Sequence, residues 1–259
     1  YIQKNQTDFI NIVKIIKSVS DYHHRRPDFI KKIERILLFI KDKIKQALSN
    51  DEIYILFQSN KQIVLFLFKE NIIVPTQNIW DQINFMQEPY LSLFIDFYIP
   101  EFDQFLNDEE KKKIDEWEEY EQKRLIGEND SYICELIRED SVVEFISFVN
   151  KKKISLESTI NHSIFETNVF LIDKTPTLIE YASFFGSIQI VRYLICNKVK
   201  ITNSVWIYAI HSQNSELIHL LIENHIEMEE DDIYIESIKC HHYDLMDYIQ
   251  NNLLAIKDG

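Results

Sequence analysis

Apolar residues recur at helical spacing through the first fifty positions of the chain. Between residues 8 and 19 they form one stripe, made of Phe9, Ile12, Val13, Ile15, Ile16 and Val19. A second stripe runs over residues 30–48 and follows Asp28, a residue type that favours the start of a helix. Because this spacing places the apolar side chains on one face, we predict two amphipathic helices.

Two shorter apolar segments follow, at residues 53–57 and 63–68. Taken alone, each would also suit a buried strand. The stretches around them have helical periodicity, and turn glycines are nearly absent from the chain. We therefore predict a short helix pair over residues 52–70, with a turn at Ser59-Asn60.

Three prolines then interrupt the chain, at Pro75, Pro89 and Pro100. They bound two short predicted helices, near residues 79–85 and 91–98. A charged helix is predicted from residue 108 to Ile126, and Gly127 ends it. We place a domain boundary there, which divides the chain into an N-terminal helical region, 1–127, and a C-terminal region, 128–259.

The segment 177–195 predicts a pair of antiparallel helices. Its apolar residues at helical spacing lie on both sides of Gly186, one of only 3 glycines in the chain. Glycine adopts a left-handed backbone at little cost, so it suits a tight turn after a helix. We predict one helix before Gly186 and one after it.

The C-terminal region repeats this helix pair. A small residue and three apolar residues mark the first copy, at Ala182, Ile190, Val191 and Leu194. The same marks recur 27 residues later, at Ala209, Leu217, Ile218 and Leu221. They recur again after a further 28 residues, at Ser237, Leu245, Met246 and Ile249. The same internal spacing occurs earlier, at Cys134, Val142, Val143 and Ile146, before an insertion near 150–174. One pair cannot bury both of its faces, so the pattern predicts stacked pairs whose second helices bury these apolar marks.

The repeated unit resembles an ankyrin repeat. Residues 177–182, T-L-I-E-Y-A, are similar to the ankyrin pattern T-P-L-H-x-A, and Gly186, Ile190-Val191 and Leu194-Ile195 match its later G, I-V and L-L marks. Residues 163–168, 176–186 and 237–252 are similar to the divergent ankyrin-repeat proteins expanded in parasitic protists. The resemblance covers about 129–254, and a degenerate repeat is a candidate at 52–73. It implies an all-α fold, an ankyrin-type helical-repeat solenoid with an N-terminal helical extension.

The chain departs from the ankyrin pattern at several positions. Leu178 replaces the proline and Glu180 the histidine, while Gln213 and His241 occupy the turn-glycine position of later units. Asn214 is a candidate for the left-handed conformation in the second unit. The family histidine ties neighbouring loops together, so its replacement predicts looser loops with intact helix pairs.

Charge and cysteine content limit the partners and the compartment. The net charge is −14, with acidic blocks at residues 101–121 and 227–232 that a solvated surface explains most simply. Such a chain repels nucleic acid and anionic membranes, and no apolar run approaches the ~18 residues of a spanning helix.

The three cysteines, Cys134, Cys196 and Cys240, form no CxxC pair. We therefore expect a reduced intracellular setting, the cytoplasm. Because the sequence begins without Met, we interpret it as a piece of a longer chain.

Motifs for catalysis are absent from the sequence. It contains no glycine-rich phosphate loop, no G-x-S-x-G and no H-E-x-x-H. The histidine-rich stretch Cys240-His241-His242 is the one cluster with ligand chemistry; His211 occupies the neighbouring slot in the repeat register. Further histidines of the region are His162, His219 and His225. A structural zinc ion needs four converging ligands, so a histidine-based metal enzyme is our least favoured hypothesis. We predict no enzyme activity, catalytic residue, cofactor or metal.

The resemblance implies a binding face. In ankyrin arrays the loop tips and the ends of the first helices line a concave surface that binds partners. The helix-end positions here are Phe184, Phe185, His211, Ser212, Lys239 and Cys240, and the loop tips are 174–175, 202–203 and 230–231. Exposed aromatic rings are frequent binding hot spots, but packing of at least one phenylalanine on the insertion or on the next unit is the favoured interpretation.

The leading functional hypothesis is a non-catalytic protein–protein interaction module, a scaffold or adaptor. Its concave acidic surface would bind a protein partner with basic or mixed charge. An alternative is a regulatory or targeting region of a larger protein or enzyme. The partner, the biological process and the oligomeric state do not follow from the sequence.

Overall fold

The computed structural model describes residues 2–22, 27–84, 92–106 and 117–252. These residues form helices and loops, with one isolated antiparallel bridge between Thr159 and Thr177 and no strand among them. The predicted all-α class is confirmed. The chain divides into two compact units: Tyr1–Asp130 with His162–Lys174, and Ser131–Asn161 with Thr175–Gly259. No helix in the described stretches is both long and apolar enough to cross a membrane.

The described helices of the first unit follow the predicted segments. They are α1 (Ile2–Tyr22), α2 (Pro27–Phe39), α3 (Lys41–Ala47), α4 (Asn50–Phe57), α5 (Lys61–Lys69), α6 (Gln77–Asn84), α7 (Ser92–Tyr98), a 3-10 helix (Ile99–Phe105) and α8 (Trp117–Ile126). The segments 53–57 and 63–68 are helices, as the periodicity around them predicted. The predicted second helix is divided into α2 and α3 at Ile40. Residues 107–116, which include the start of the predicted charged helix, lie outside the described residues.

The helix pair α4 and α5 is defined by polar caps and a buried apolar stripe. Ser49 precedes α4 and accepts a hydrogen bond from the Glu52 backbone N–H at 3.3 Å, while Glu52 Oε2 accepts one from the Ser49 N–H at 2.8 Å. This reciprocal capping box satisfies two backbone donors at the start of the helix. Asn60 caps α5 in a similar way, and Ile63, Val64 and Leu67 are fully buried below it.

The segment 162–174 folds as part of the first unit. Thr167 donates from its backbone N–H and from its hydroxyl to the carbonyl of Gly127, at 3.0 and 2.7 Å. The Ser163 hydroxyl donates to Asp130 at 2.8 Å. Ile172 belongs to the apolar core of this unit. What the sequence shows as an insertion between two helix pairs therefore supplies core and hydrogen bonds to the N-terminal unit.

Within the described residues of the second unit, the helices form four pairs. They are α9 (Tyr132–Arg138) with α10 (Val142–Lys152), α11 (Leu178–Phe185) with α12 (Ile188–Cys196), α13 (Val205–Ser212) with α14 (Ser215–Glu223), and α15 (Glu230–Lys239) with α16 (Tyr243–Asn252). The first helices pack in sequence order, α9 on α11, α11 on α13 and α13 on α15. Ala182 and Ala209 are fully buried where these helices approach one another, and Ser237 is buried at the same position of α15.

The turns inside the four pairs share one backbone conformation. Residues Asp140, Gly186, Gln213 and His241 all have positive φ, at 51°, 71°, 52° and 51°. The sequence suggested Asn214 for the left-handed residue of the third pair, and this is wrong. Asn214 has an extended backbone instead, because its side chain caps α14 by accepting from the N–H groups of Glu216 and Leu217.

The register of the first pair differs from the one inferred from its sequence. The turn at Asp140 is closed by the N–H of Asp140 bonding to the Ile137 carbonyl and that of Ser141 to the Leu136 carbonyl. Gly186 and Ser187 bond to Ser183 and Ala182 in the same way. Leu136, not Cys134, is therefore the counterpart of Ala182. The predicted mark Val143 is 71% exposed, and the buried residues of α10 are Phe145 and Val149.

Polar side chains connect neighbouring pairs within the second unit. Asp140 accepts from the backbone N–H groups of Gln189 and Ile190, at 3.0 and 2.9 Å, and so caps the start of α12 from the preceding pair. Glu180 forms a capping box with Thr177. Its other carboxylate oxygen accepts from the Ser204 hydroxyl at 2.5 Å. A carboxylate thus links successive loops where we expected looser order.

Replacing Gly186 by alanine should lower the free energy of unfolding by about 1–2 kcal/mol, the cost of a left-handed backbone for a residue with Cβ. The added Cβ would lie 3.3 Å from Asn214 Nδ2 and 3.4 Å from Ser212 Cβ, tight contacts that add to this cost. Urea denaturation measures the change. Lys198→Gly is the matched control, because exposed Lys198 has φ 58° and glycine relieves the same strain. A Gly186→Ala variant as stable as the wild type would contradict this explanation of the turn.

Candidate functional site

The six candidate partner-binding residues lie where the first helices of three successive pairs end. Phe184 and Phe185 end α11, His211 and Ser212 end α13, and Lys239 and Cys240 lie at the end of α15. The packing of α11 on α13 and of α13 on α15 brings these ends into one row. The three helix ends follow one another in the row in the order in which they occur in the sequence.

Burial separates the six residues into two groups. Phe184, His211 and Cys240 are buried, with 0%, 6% and 2% of their surface exposed. Phe185, Ser212 and Lys239 are half-buried and present some surface to solvent. The Phe184 ring contacts the Phe185 ring, with centroids 5.1 Å apart, and the His211 imidazole, at 5.3 Å. Phe184 therefore serves packing in this structure and fixes the plane of His211.

His211, Glu236 and Cys240 form a compact buried cluster. His211 Nε2 lies 3.0 Å from Glu236 Oε1, and Cys240 Sγ lies 3.5 Å from His211 Nδ1 and 3.8 Å from Nε2. Glu236 and Cys240 are four residues apart and share one face of α15, which is how they reach the same imidazole. One donor atom from each of the three residues lies within 4.8 Å of the other two.

The surroundings of the cluster set the charges of its members. Burial alone would raise the pKa of Glu236, but the hydrogen bonds from His211 and Lys239 hold it below its ordinary value. Lys239 Nζ contacts Glu236 Oε2 at 3.0 Å, which leaves Oε1 directed at His211. Burial raises the pKa of the Cys240 thiol to about 12, and the neighbouring Glu236 carboxylate adds to this shift. Cys240 is therefore a protonated thiol at neutral pH in the protein alone.

Sequence reasoning found two members of this cluster and missed the third. It placed His211 and Cys240 in neighbouring slots of the repeat, and the structure brings them into contact. Glu236 was not considered, although its position four residues before Cys240 was a usable signal. The adjacent histidines do not join the cluster: His241 is exposed and contacts the Tyr243 ring, and His242 Nδ1 accepts from the Leu245 N–H. His219 and His225 are exposed, and His162 belongs to the first unit.

The loop tips of the second unit are exposed and polar. Thr175, Thr202 and Asn203 are exposed, and so are the acidic residues Glu229 and Asp232. The Asn203 amide donates to Glu229 of the following pair. Lys174, which the sequence placed with Thr175, belongs to the first unit. The side chains of residues 230–231 lie outside the described set.

No protein-family model matches the sequence, and neither a curated protein nor a solved structure is significantly similar to it.

Proposed function

We propose that the second unit is a non-catalytic protein-interaction module built as a divergent ankyrin-type helical-repeat solenoid. The observation that carries this proposal is the shared turn geometry, in which Gly186, Gln213 and His241 take one left-handed conformation at intervals of 27 and 28 residues. A fixed interval with one turn geometry is typical of repeat architectures, in which each unit contacts mainly its neighbours.

Features of the first unit support an additional degenerate repeat at 52–73. Asn71, two residues after the end of α5, has a left-handed conformation, as has Lys198, two residues after the end of α12. The residue after each of them donates to the second helix in the same way, Ile72 to Leu67 and Val199 to Leu194. The capping box of α4 also corresponds to that of α11.

The partner-binding face that we propose consists of the first-helix ends and the loop tips of the second unit. Phe185, Ser212 and Lys239 contribute accessible surface to it, and Glu229 and Asp232 contribute exposed negative charge. The chain as a whole has a net charge of −14. We infer a protein partner with basic or mixed charge rather than nucleic acid, because a phosphate backbone would be repelled. The cytoplasm is the compartment that we propose.

Affinity capture of the full-length protein from its own cells tests this function. Charge reversal of Glu227, Glu229 and Asp232 to lysine should abolish recovery of the specific partner. Recovery by the wild type should also fall between 0.1 M and 1 M salt, over which the Debye length shortens from about 10 Å to about 3 Å. The three side chains are exposed in the structure, so their replacement removes the hydrogen bond between Asn203 and Glu229 but no buried packing.

The matched control reverses three exposed carboxylates on second helices, Glu144, Asp244 and Asp247. It makes the same change in net charge, and the partner should still be recovered. Equal loss of the partner in both triple variants would show that only net charge matters and would contradict the proposed face. The proposed face would also be contradicted if recovery of the partner changed neither with salt nor in either triple variant.

A further inference from the structure

The buried cluster of His211, Glu236 and Cys240 combines three kinds of metal donor on two neighbouring helices. His211 comes from the end of α13, and Glu236 and Cys240 come from one face of α15. Imidazole, carboxylate and thiolate are the donors that Zn²⁺ accepts in proteins. Among the described residues, this is the one group of His, Cys, Asp and Glu whose donor atoms approach so closely.

The distances inside the cluster fit a tetrahedral ion. Zinc bonds of about 2.3 Å to sulfur and about 2.0–2.1 Å to nitrogen and oxygen place the donors of a tetrahedron about 3.3–3.6 Å apart. The observed separations are 3.0 Å from His211 Nε2 to Glu236 Oε1 and 3.8 Å from Nε2 to Cys240 Sγ. Both differ from the tetrahedral values by only a few tenths of an ångström. The donor atoms of Glu236 and Cys240 lie within 4.8 Å of each other, a separation that rotation of the two side chains can shorten.

We propose that His211 Nε2, Glu236 Oε1 and Cys240 Sγ bind one Zn²⁺ ion, with water as the fourth ligand, and that this ion links two successive helix pairs. A divalent ion offsets the charges of one thiolate and one carboxylate, and the Lys239 ammonium on the other oxygen of Glu236 is partly exposed to solvent. This offset suits the position, where the three residues are 6%, 9% and 2% exposed. Lys239 Nζ remains hydrogen-bonded to Glu236 Oε2, and the Phe184 ring packs against the His211 imidazole.

Zinc binding at this site should release a proton. Zinc binding breaks the S–H bond of Cys240 and forms a Zn–S bond, which releases one proton to solvent. His211 binds through an unprotonated Nε2 and carries its proton on Nδ1. Glu236 binds as the carboxylate. We expect at least one proton released per zinc bound, the one lost by the Cys240 thiol.

The decisive experiment is titration of the full-length, chelator-treated protein with Co²⁺ and then Zn²⁺. The proposal expects one Co²⁺ per chain, with visible bands typical of tetrahedral cobalt and a near-ultraviolet thiolate charge-transfer band, all displaced by Zn²⁺. The Cys134→Ser/Cys196→Ser double variant should keep the thiolate band, because it retains Cys240 as the one thiol of the chain. This arm tests the sulfur ligand without removing it.

Ligand variants complete the test. Cys240→Ser and Glu236→Gln should each weaken zinc affinity by more than about a hundredfold, above the loss expected for a merely supporting residue. Circular dichroism checks that each variant is folded. If Cys240→Ser does not fold, the double cysteine variant, Glu236→Gln and the proton count still decide the question. A cluster that is a hydrogen-bonded triad only would give no stoichiometric cobalt binding and no thiolate band, which would overturn the proposal; so would a thiolate band lost in the double cysteine variant.

Discussion

Replacing Arg124 by methionine should lower the free energy of unfolding by about 3–5 kcal/mol, the range for breaking a buried ion pair from one side. The Arg124 side chain has no exposed surface and donates to both oxygens of Glu101, at 2.8 and 2.7 Å. Its guanidinium also lies 5.2 Å from the Phe97 ring centroid. Methionine would keep much of the packing volume but leave the Glu101 carboxylate without its counter-ion. Urea denaturation at neutral pH measures the loss.

Two comparisons separate this effect from a general loss of packing. Arg192→Met removes an exposed ion pair, Arg192 with Glu216 at 3.1 Å, and should cost less than about 1 kcal/mol. Adding Glu101→Gln to Arg124→Met should recover part of the loss, because the amide has no charge to leave buried. Burial raises the pKa of Glu101 even though Arg124 opposes the shift, so the cost of Arg124→Met should also shrink at acidic pH. If the two arginine variants lost equal stability, the buried pair would not have the role assigned to it.

Raising the pH from 7 to 10 should stabilise the wild-type protein relative to a Lys61→Met variant. Lys61 is 1% exposed; its Nζ donates to the Ile164 carbonyl at 3.0 Å and lies 4.7 Å from the Phe94 ring centroid. Burial lowers the pKa of Lys61 from 10.5 to about 7, against the attraction of Glu166 and Asp96. Between those two values the unfolded chain binds more protons than the native one, so the free energy of unfolding rises with pH.

The expected rise has an upper limit of about 4 kcal/mol over three pH units, at 1.36 kcal/mol per unit. The measured quantity is the difference between wild type and Lys61→Met, because other groups oppose the trend. Burial raises the pKa values of Cys240 and Tyr54, and these groups destabilise the native state as the pH approaches their unfolded values. Lys69→Met, in the same helix at a more exposed position, should follow the wild-type curve. Parallel curves for wild type and Lys61→Met would rule out the buried titration.

Local structure in this chain follows directly from its sequence. Helical spacing of apolar residues identified α4 and α5 against the strand alternative, because periodicity depends only on which side chains must share a face. Gly186 correctly predicted the turn between α11 and α12, because a left-handed backbone favours a residue without Cβ. The intervals of 27 and 28 residues placed two further helix pairs without any knowledge of their contacts.

The same reasoning failed where the deciding contact comes from elsewhere in the chain. Val143 was assigned to the buried stripe of its helix, but it is 71% exposed, since turn hydrogen bonds shift the register of that pair. For Phe184 and Phe185 the sequence favoured packing of at least one ring but did not say which, and the contact of Phe184 with the His211 ring of the next pair decides it. The segment 162–174 belongs to the first unit because Gly127 and Lys61 hold it through hydrogen bonds.

The sequence by itself determined that the chain is helical, where most of its helices lie and which turns repeat, because these properties depend on residues close together along the chain. Only the tertiary structure decided which side chains meet across helices. Glu236 and Cys240 share a face of α15 by local geometry, but their approach to His211 depends on how α13 packs against α15. That packing is set by apolar burial along the whole length of both helices, which no short motif encodes.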